Sequence, residues 1–440
     1  MAIRVVIRCW LIYWLLILIA PFYSVAPSPW IGIVIQLVFF VSVLAGYASI
    51  ASQHQGGHKI EPVFDDPRSL VRLFWLSIFF SIVGSLALSF DRIVIQGISF
   101  SDGLAVAREK WREAGEQRGG SISSIFSVFG YLLAPAFYYS IINLTAYRKA
   151  HTRKIKIKWL IIIILIGWNT ILTGGRSVAF VAFIMFAASH VYTRQFFITQ
   201  SRSIWQWISS TKIFVLKRST LLRNLVLLSL IGYSLYVFAA RSAANEMSVA
   251  HYVDQALAAL GLKIYPAINA YIPYLPFASL FYLLILFLGY LMHSYVVVSK
   301  IYLYPYDNKS LVVFVGFGLI LAKLGIIDQP NTEWFLAGSF PSLPGALYLQ
   351  GGFTLMILLG FLLGAGLALC VAFIFRFRFN SMLLFAYVVL LSTLMISPVL
   401  FIFDSLMFPF ILIQFVIFSI LRKVRLGISS PQQVPEQIKT

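Results

Sequence analysis

The run Trp159–Ser189, WLIIIILIGWNTILTGGRSVAFVAFIMFAAS, decides how the rest of the chain is read. It is an apolar leg, then Thr173-Gly174-Gly175-Arg176, then a second apolar leg. At 31 residues it is too long for one ordinary span, since about 20 residues of helix cross a bilayer core. Two adjacent glycines and an arginine are poor material for a helix interior in lipid. Two short membrane helices joined by a tip are therefore expected. Charge parity agrees. Basic clusters flank both outer ends, Arg148 to Lys158 before the run and Arg194 to Arg223 after it. A hairpin leaves both on the cytoplasmic side, as the positive-inside rule asks, whereas a single span exports one of them. Each leg of roughly 16 residues is about 24 Å of helix, against a hydrocarbon core of about 30 Å. Arg176 is thus expected at or below the outer headgroup level, where lipid phosphate is the obvious anion.

Composition sets the class. With 60% hydrophobic residues, 11% charged and a mean hydropathy of +0.88, the chain reads as an all-α polytopic membrane protein. A net charge of +19 invites a polyanion-binding reading. Its distribution argues otherwise, because the Lys/Arg excess falls in the segments that parity makes cytoplasmic, while the external ones are nearly balanced. The charge is topogenic, and no nucleic acid partner is expected. Cys9 and Cys370 both lie in apolar segments and give no disulfide framework or thiolate metal site.

Taken in order, the chain reads as about 12 spans with both termini cytoplasmic. Cys9–Val25 is expected to stay as an uncleaved first helix, because Trp30–Ala51 follows after a very short loop. Leu73–Phe90, Ser124–Tyr147, the two hairpin legs, Asn224–Ala240, Phe277–Val298 and Leu311–Ile327 come next, with Lys300 and Lys309 expected inside after Phe277–Val298. Gly352–Phe375, Met382–Ser397 and a last span ending at Arg422 complete one transmembrane bundle over residues 1–428. Residues 429–440, rich in Pro and Gln, read as a disordered cytoplasmic tail. External loops are expected at 91–123, 241–276 and 328–349. The second of these opens with a helix, Val249–Leu260, N-capped by Ser248 and stopped by Gly261.

No phosphate-cradling loop, nucleophile elbow, HExxH or Cys/His metal spacing occurs in the sequence. The candidate chemistry lies in the external loops and at helix tips. Arg108 and Arg112 are four apart and share a helix face; Glu109, Glu113 and Glu116 stand ready to neutralise them, so a solvated helix and a phosphate-docking pair both fit. Arg241 ends a span. His251, Asp254 and Ala258 share the polar face of the second loop's helix, opposite Val249, Tyr252, Ala256 and Leu260; a lone His near a lone Asp is more often surface decoration than a catalytic pair. Tyr265 and Tyr271 are candidates for stacking on sugar, whereas Tyr274 marks the membrane interface. Lys323, about one turn from the end of its span, is a functional candidate by its position in lipid or else snorkels outward. Asp328 and Glu333, external and near the membrane plane, are the best carboxylates for a general base.

Four features of these residues resemble the Wzy-type polymerases of bacterial O-antigen, the oligosaccharide repeat unit polymerases. They are Leu172-Thr173-Gly174-Gly175-Arg176 in an apolar hairpin; Ser339 to Gly364, with Pro341-Ser342-Leu343-Pro344-Gly345, Tyr348 and Gly351-Gly352 entering a glycine-bearing span; Asp91-Arg92 ahead of the Arg108/Arg112 loop; and Arg241 before a long external loop. Arg108 and Gly119 also fit an arginine–ten residues–glycine spacing. The resemblance implies a GT-C-like helical bundle in the inner membrane, working at its periplasmic face on glycans carried by undecaprenyl diphosphate. It implies a lipid-linked donor and acceptor, membrane lipids around them, and a chain-length regulator as partner. Arg176, Arg241, Arg108, Arg112 and Lys323 would bind the diphosphate, Tyr265 and Tyr271 the glycan, with Asp328 or Glu333 as base. No cofactor or metal is implied. An O-antigen ligase using the same donor, a lipid-linked oligosaccharide flippase and a structural export subunit are the competing readings.

Overall fold

A computed structural model describes residues 1–52, 67–99, 107, 110–111, 113–114, 123–151, 154–173, 177–195, 218–303, 313–323, 325–328, 330–331, 342–376, 381–400 and 407–428. In chain order the elements are α1 (Ala2–Ile19), β1 (Phe22–Ser24), α2 (Trp30–Ala51), α3 (Pro67–Phe90), α4 (Ile125–Leu133) and α5 (Ala136–Ala146). Then come α6 (Ile155–Thr173), α7 (Ser177–Thr193), α8 (Arg218–Ala244), α9 (Val249–Ala259), β2 (Leu262–Ile264) and α10 (Pro266–Tyr271). The chain closes with α11 (Ala278–Met292), α12 (Ser294–Leu303), α13 (Val315–Lys323), α14 (Ser342–Arg376), α15 (Ser381–Ile396) and α16 (Phe408–Ile428).

Among the described residues, six helices are long and apolar enough to cross a membrane: Ala2–Ile19, Trp30–Ala51, Arg68–Ile95, Ile125–Ala146, Ile155–Thr173 and Ser342–Ile374. A seventh results if α11 and α12, bent by 49° at His293, count as one, and Ser177–Thr193, Ser381–Ile396 and Phe408–Arg422 are shorter apolar helices. The chain is a multi-pass, all-α membrane protein. Its outward-facing side chains fit lipid: Leu11, Ile12, Leu15, Leu18 and Ile19 of α1 are all exposed, as the apolar solvent around a spanning helix allows.

The expected hairpin is present. Helices α6 and α7 are separate, and only residues 174–176 stand between them. The break expected before Gly352 is also present: Gly351 (φ −159°, ψ 26°) and Gly352 (φ 64°, ψ −162°) leave helical geometry and divide α14 in two. The first part, Ser342–Gln350, belongs in part to the segment expected as external loop, yet Leu343, Ala346 and Leu347 are buried. The second part lies along α2 at glycine contacts. A Cβ on Gly46 would sit 2.0 Å from the Phe361 carbonyl oxygen, and one on Gly364 would sit 2.0 Å from that of Val43. Gly360 and Gly364 make the small-xxx-small spacing that lets membrane helices approach closely.

The segment expected as the second external loop holds a surprise. Strands β1 and β2 pair antiparallel, Phe22 with Ile264, Tyr23 with Lys263 and Ser24 with Leu262, so the α1–α2 turn is tied to the end of α9. Ser248 caps α9 by accepting from the His251 N–H (3.3 Å), and Gly261 ends it at φ +77°. The face expected to be apolar held Val249, Tyr252, Ala256 and Leu260; the deepest residues are instead Val253 and Leu257. The reason is the neighbour: Leu257 packs where a Cβ on Gly289 of α11 would lie.

One expected crossing is corrected. Phe277–Val298 was expected to run from outside to a cytoplasmic Lys300. The helix bends by 49° at His293, and α12 runs along α2 towards the α1–α2 turn. Ser294 sits beside Gln36, Tyr295 beside Gly32, and Ser299 Oγ donates to the Ser28 carbonyl (2.9 Å). Lys300 Nζ lies 3.0 Å from where a Cβ on Gly261 would be. Ser299 and Lys300 are thus at the same end as the α1–α2 turn. The cause is a buried polar hub at the break. Ser294 Oγ donates to the Pro398 carbonyl (2.6 Å), leaving the Tyr13 hydroxyl to donate to Ser294 Oγ (2.8 Å), while Gln36 Nε2 donates to Tyr13 Oη (3.3 Å). The next expected span, Leu311–Ile327, yields only the nine-residue α13, about 14 Å of helix and too short to cross.

At the opposite end from that turn, His151 is fully buried on the turn between α5 and α6. Lys158 Nζ donates to its Nδ1 (3.1 Å), so Nε2 carries the proton and donates to Asn143 Oδ1 (2.8 Å). Asn143 Nδ2 then donates to the Leu70 carbonyl (3.2 Å) and Tyr139 Oη (3.1 Å), joining α3, α5 and α6. Burial, and then the Lys158 charge, push the His151 pKa down from 6.5 to about 4. Its folded-state pKa is the lower one, so the full contribution is present above 6.5 and is lost as pH falls from 6.5 towards 4. The melting temperature in detergent is expected to drop between about pH 7.5 and about pH 5, and His151→Gln is expected to flatten that dependence. An unchanged slope in the variant would contradict the assignment.

Candidate functional site

Helix α3 carries the site. Ser77, Ser81, Ser85 and Ser89 follow one another at four-residue intervals and lie on one face, pointing at α4, α5 and α6. Ser77 Oγ meets Ser140 Oγ (2.6 Å), and Ser81 Oγ donates to the Ala134 carbonyl (3.0 Å). Asn169 Nδ2 donates to Ser85 Oγ (2.8 Å), and Trp168 Nε1 donates to Ser89 Oγ (3.0 Å). Each such bond between membrane helices is worth about 0.6 kcal/mol on average, so the stripe fixes register more than it adds stability. Close packing does the rest: a Cβ on Gly84 would lie 2.2 Å from the Ala134 backbone nitrogen, where Pro135 separates α4 from α5.

The stripe ends at Asp91 and Arg92, in a π-helical turn spanning Asp91–Ile95. Both are buried, at 0% and 3% exposure, and a charge in that position needs partners. Asp91 Oδ1 accepts from Ser123 Oγ (2.7 Å) and Ser124 Oγ (2.6 Å), and Gln96 Nε2 donates to Oδ2. The Arg92 guanidinium donates to Tyr131 Oη (2.9 Å) and lies 3.8 Å from the centre of the Trp111 ring. A desolvated cation–π contact of this kind contributes about 2 kcal/mol. The two residues hold both limbs of the 91–123 segment against the bundle, Trp111 by Arg92 and Ser123/Ser124 by Asp91.

The hairpin arrives at the same place. Leu172, one residue before Thr173, packs with Leu88 and Ala134, and Tyr131 closes that cluster. Two segments far apart in sequence, the end of α6 and the Asp91–Arg92 turn, therefore both adjoin the cluster that Tyr131 closes. Among the described residues no group of three or more His, Cys, Asp or Glu is placed to hold a metal ion.

No family model, curated protein or solved structure matches the chain.

The candidates named from sequence fall into three groups. Arg108, Arg112, Arg176 and Glu333 lie outside the described residues. Arg241 is half-buried in the last turn of α8, where its carbonyl accepts from Asn245 Nδ2 (2.8 Å), and Lys323 is the last residue of α13. Asp328 is exposed, just after the turn at Gly325 (φ +69°). Tyr265 and Tyr271 are exposed, and the Tyr265 ring lies 5.3 Å from that of Tyr23 across the β1–β2 ribbon. His251 meets Gln255 (2.9 Å) rather than Asp254 in its hydrogen bonding. Sequence reasoning named Asp91-Arg92 only as part of a resemblance and missed Tyr131, Trp111 and the serine stripe. The four-residue serine spacing running into Asp91-Arg92 was the available signal.

Proposed function

We propose that this chain is a glycosyltransferase of the inner membrane that joins lipid-diphosphate-linked oligosaccharide repeat units at the periplasmic face. In this reading the growing glycan leaves its undecaprenyl diphosphate for the terminal sugar of an incoming lipid-linked unit. The acceptor hydroxyl oxygen bonds to the donor's anomeric carbon, the bond from that carbon to the diphosphate breaks, and undecaprenyl diphosphate departs. The hydroxyl proton passes to Asp328 or Glu333. Arginines stabilise the departing diphosphate without giving up a proton; Arg176, Arg241, Arg108 and Arg112 are the candidates from sequence, with Lys323 beside them, and Arg92 joins them. The activated donor supplies the energy.

The observation that carries this reading is the position of Tyr131. It packs against the cluster that holds Leu172, near the end of α6, and accepts a hydrogen bond from the buried Arg92, whose guanidinium also meets the Trp111 ring. Ten crossings with both termini cytoplasmic follow if Phe277–Val298 and Leu311–Ile327 drop out together, since losing two leaves parity unchanged. Tyr265 is the glycan-stacking candidate that the ribbon holds in place.

The test is the O-antigen ladder on a gel from a deletion strain. Lipid A-core capped with a single unit is expected; uncapped core would mean a ligase or flippase and would overturn the reading. Arg176→Ala is expected to abolish the ladder in the complemented strain, and Lys110→Ala, an exposed position, to leave it intact. An intact ladder with Arg176→Ala removes that residue from the site.

A further inference from the structure

We propose that residues 266–281 form an aromatic foot seated in lipid at the headgroup–acyl boundary, although sequence parity places most of this segment in an external aqueous loop. From Ile264 to Ser299 there is no Asp, Glu, Lys or Arg. Helix α10 has no buried residue, and the rings at its end and beyond it are exposed: Tyr271 is 64% exposed, Tyr274 83% and Phe277 80%. Exposed Leu280 and Phe281 continue the same surface onto α11, an apolar helix of the bundle. The foot therefore runs without interruption into a lipid-facing surface.

Backbone strain points the same way. Phe277 has φ +64° and ψ +36°, a left-handed conformation that is unfavourable for a bulky residue. That strain orients an apolar ring outward, which gains nothing in water and much in lipid. Nor is the segment loose. Ile272 is buried, and Tyr282 Oη donates to Asn269 Oδ1 (3.0 Å), binding the foot to α11. Irregular backbone is costly in hydrocarbon because its N–H groups find no acceptor. Here Pro266, Pro273 and Pro276 remove three such donors. Tyrosines with an apolar body and a polar tip suit the boundary layer, where water still reaches the hydroxyl. The foot assigns Tyr271 to lipid rather than to sugar, and Tyr265 stays with Tyr23 on the ribbon.

The test places a nitroxide at Tyr271→Cys, at Tyr274→Cys and at Lys263→Cys, each in a Cys9→Ser/Cys370→Ser background. The protein is reconstituted in phosphatidylethanolamine–phosphatidylglycerol liposomes. Collision rates are read with oxygen, which concentrates in lipid, and with a neutral nickel chelate, which stays in water. Oxygen is expected to dominate at 271 and 274, and nickel at 263, an exposed position on β2. Nickel dominance at 271 and 274 would put the foot in water and overturn the proposal. Low accessibility to both reagents would also overturn it, showing the rings covered by a second copy or another protein.

Discussion

Gly364→Leu is expected to leave little folded protein in the membrane. At this position any Cβ meets backbone, 2.0 Å from the Val43 carbonyl oxygen and 3.0 Å from the Tyr47 nitrogen, and backbone cannot swing aside as a side chain can. Gly46 repeats the situation from the other helix against Phe361, and a Cβ on Gly360 would lie 3.1 Å from the Phe39 ring. Overpacking an ordinary core costs about 1–3 kcal/mol, and separating the α2–α14 pair exceeds that range. Against a total stability of about 5–15 kcal/mol, the loss is large. The expected readout is a collapse of the monodisperse peak in detergent and a strongly lowered melting temperature. Gly167→Leu is the control: nothing lies within 4 Å of its Cβ, and it is exposed on α6. A Gly364→Leu protein melting with the wild type would contradict the glycine-mediated contact.

Arg92→Ala is expected to slow glycan transfer on the order of 100-fold, the usual cost of removing one preorganised charge-stabilising donor. Arg92 is buried where α3 ends and is held by Tyr131 and Trp111. Its removal takes away a cation and releases the Trp111 limb. Arg92→Lys separates these effects, since it keeps the charge but loses the planar stacking and the fork of donors. Partial recovery with Lys is expected if charge near the diphosphate matters. Equal loss with Ala and Lys, together with a lowered melting temperature, would make Arg92 a fastening for the loop. Full activity with Ala would remove it from the site.

Much of the architecture was legible because membrane helices must satisfy their own backbone and because glycine marks breaks. Gly174-Gly175-Arg176 between apolar legs, Gly351-Gly352 ahead of a long span, and Ser248 with Gly261 around α9 each announce a boundary by local physics. The β1–β2 pairing was not legible: three-residue strands are too short for alternation, and Phe22–Ser24 reads as the frayed end of a helix. The turn at His293 was hidden for another reason. Phe277 to Val298 carries no Asp, Glu, Lys or Arg and is apolar but for Ser279, His293 and Ser294, so hydropathy takes it for a crossing, and Ser294 bends it only through Tyr13, Gln36 and Pro398, which are remote in sequence. Lys300 then misled the parity argument, because its partner in space is Gly261. At the candidate site, Asp91 and Arg92 look like two interfacial charges at a helix end. Their burial comes from Ser123, Ser124, Tyr131 and Trp111, which converge on them only in the folded bundle.

The central claim is that this chain transfers a glycan from one lipid diphosphate to a second lipid-linked unit. The most direct measurement gives the purified protein, in liposomes, undecaprenyl-diphosphate-linked repeat units and nothing else. Expected are lipid-linked dimers and longer oligomers, with one undecaprenyl diphosphate released for each linkage made. Unchanged single units, or units moved between leaflets without elongation, would contradict it.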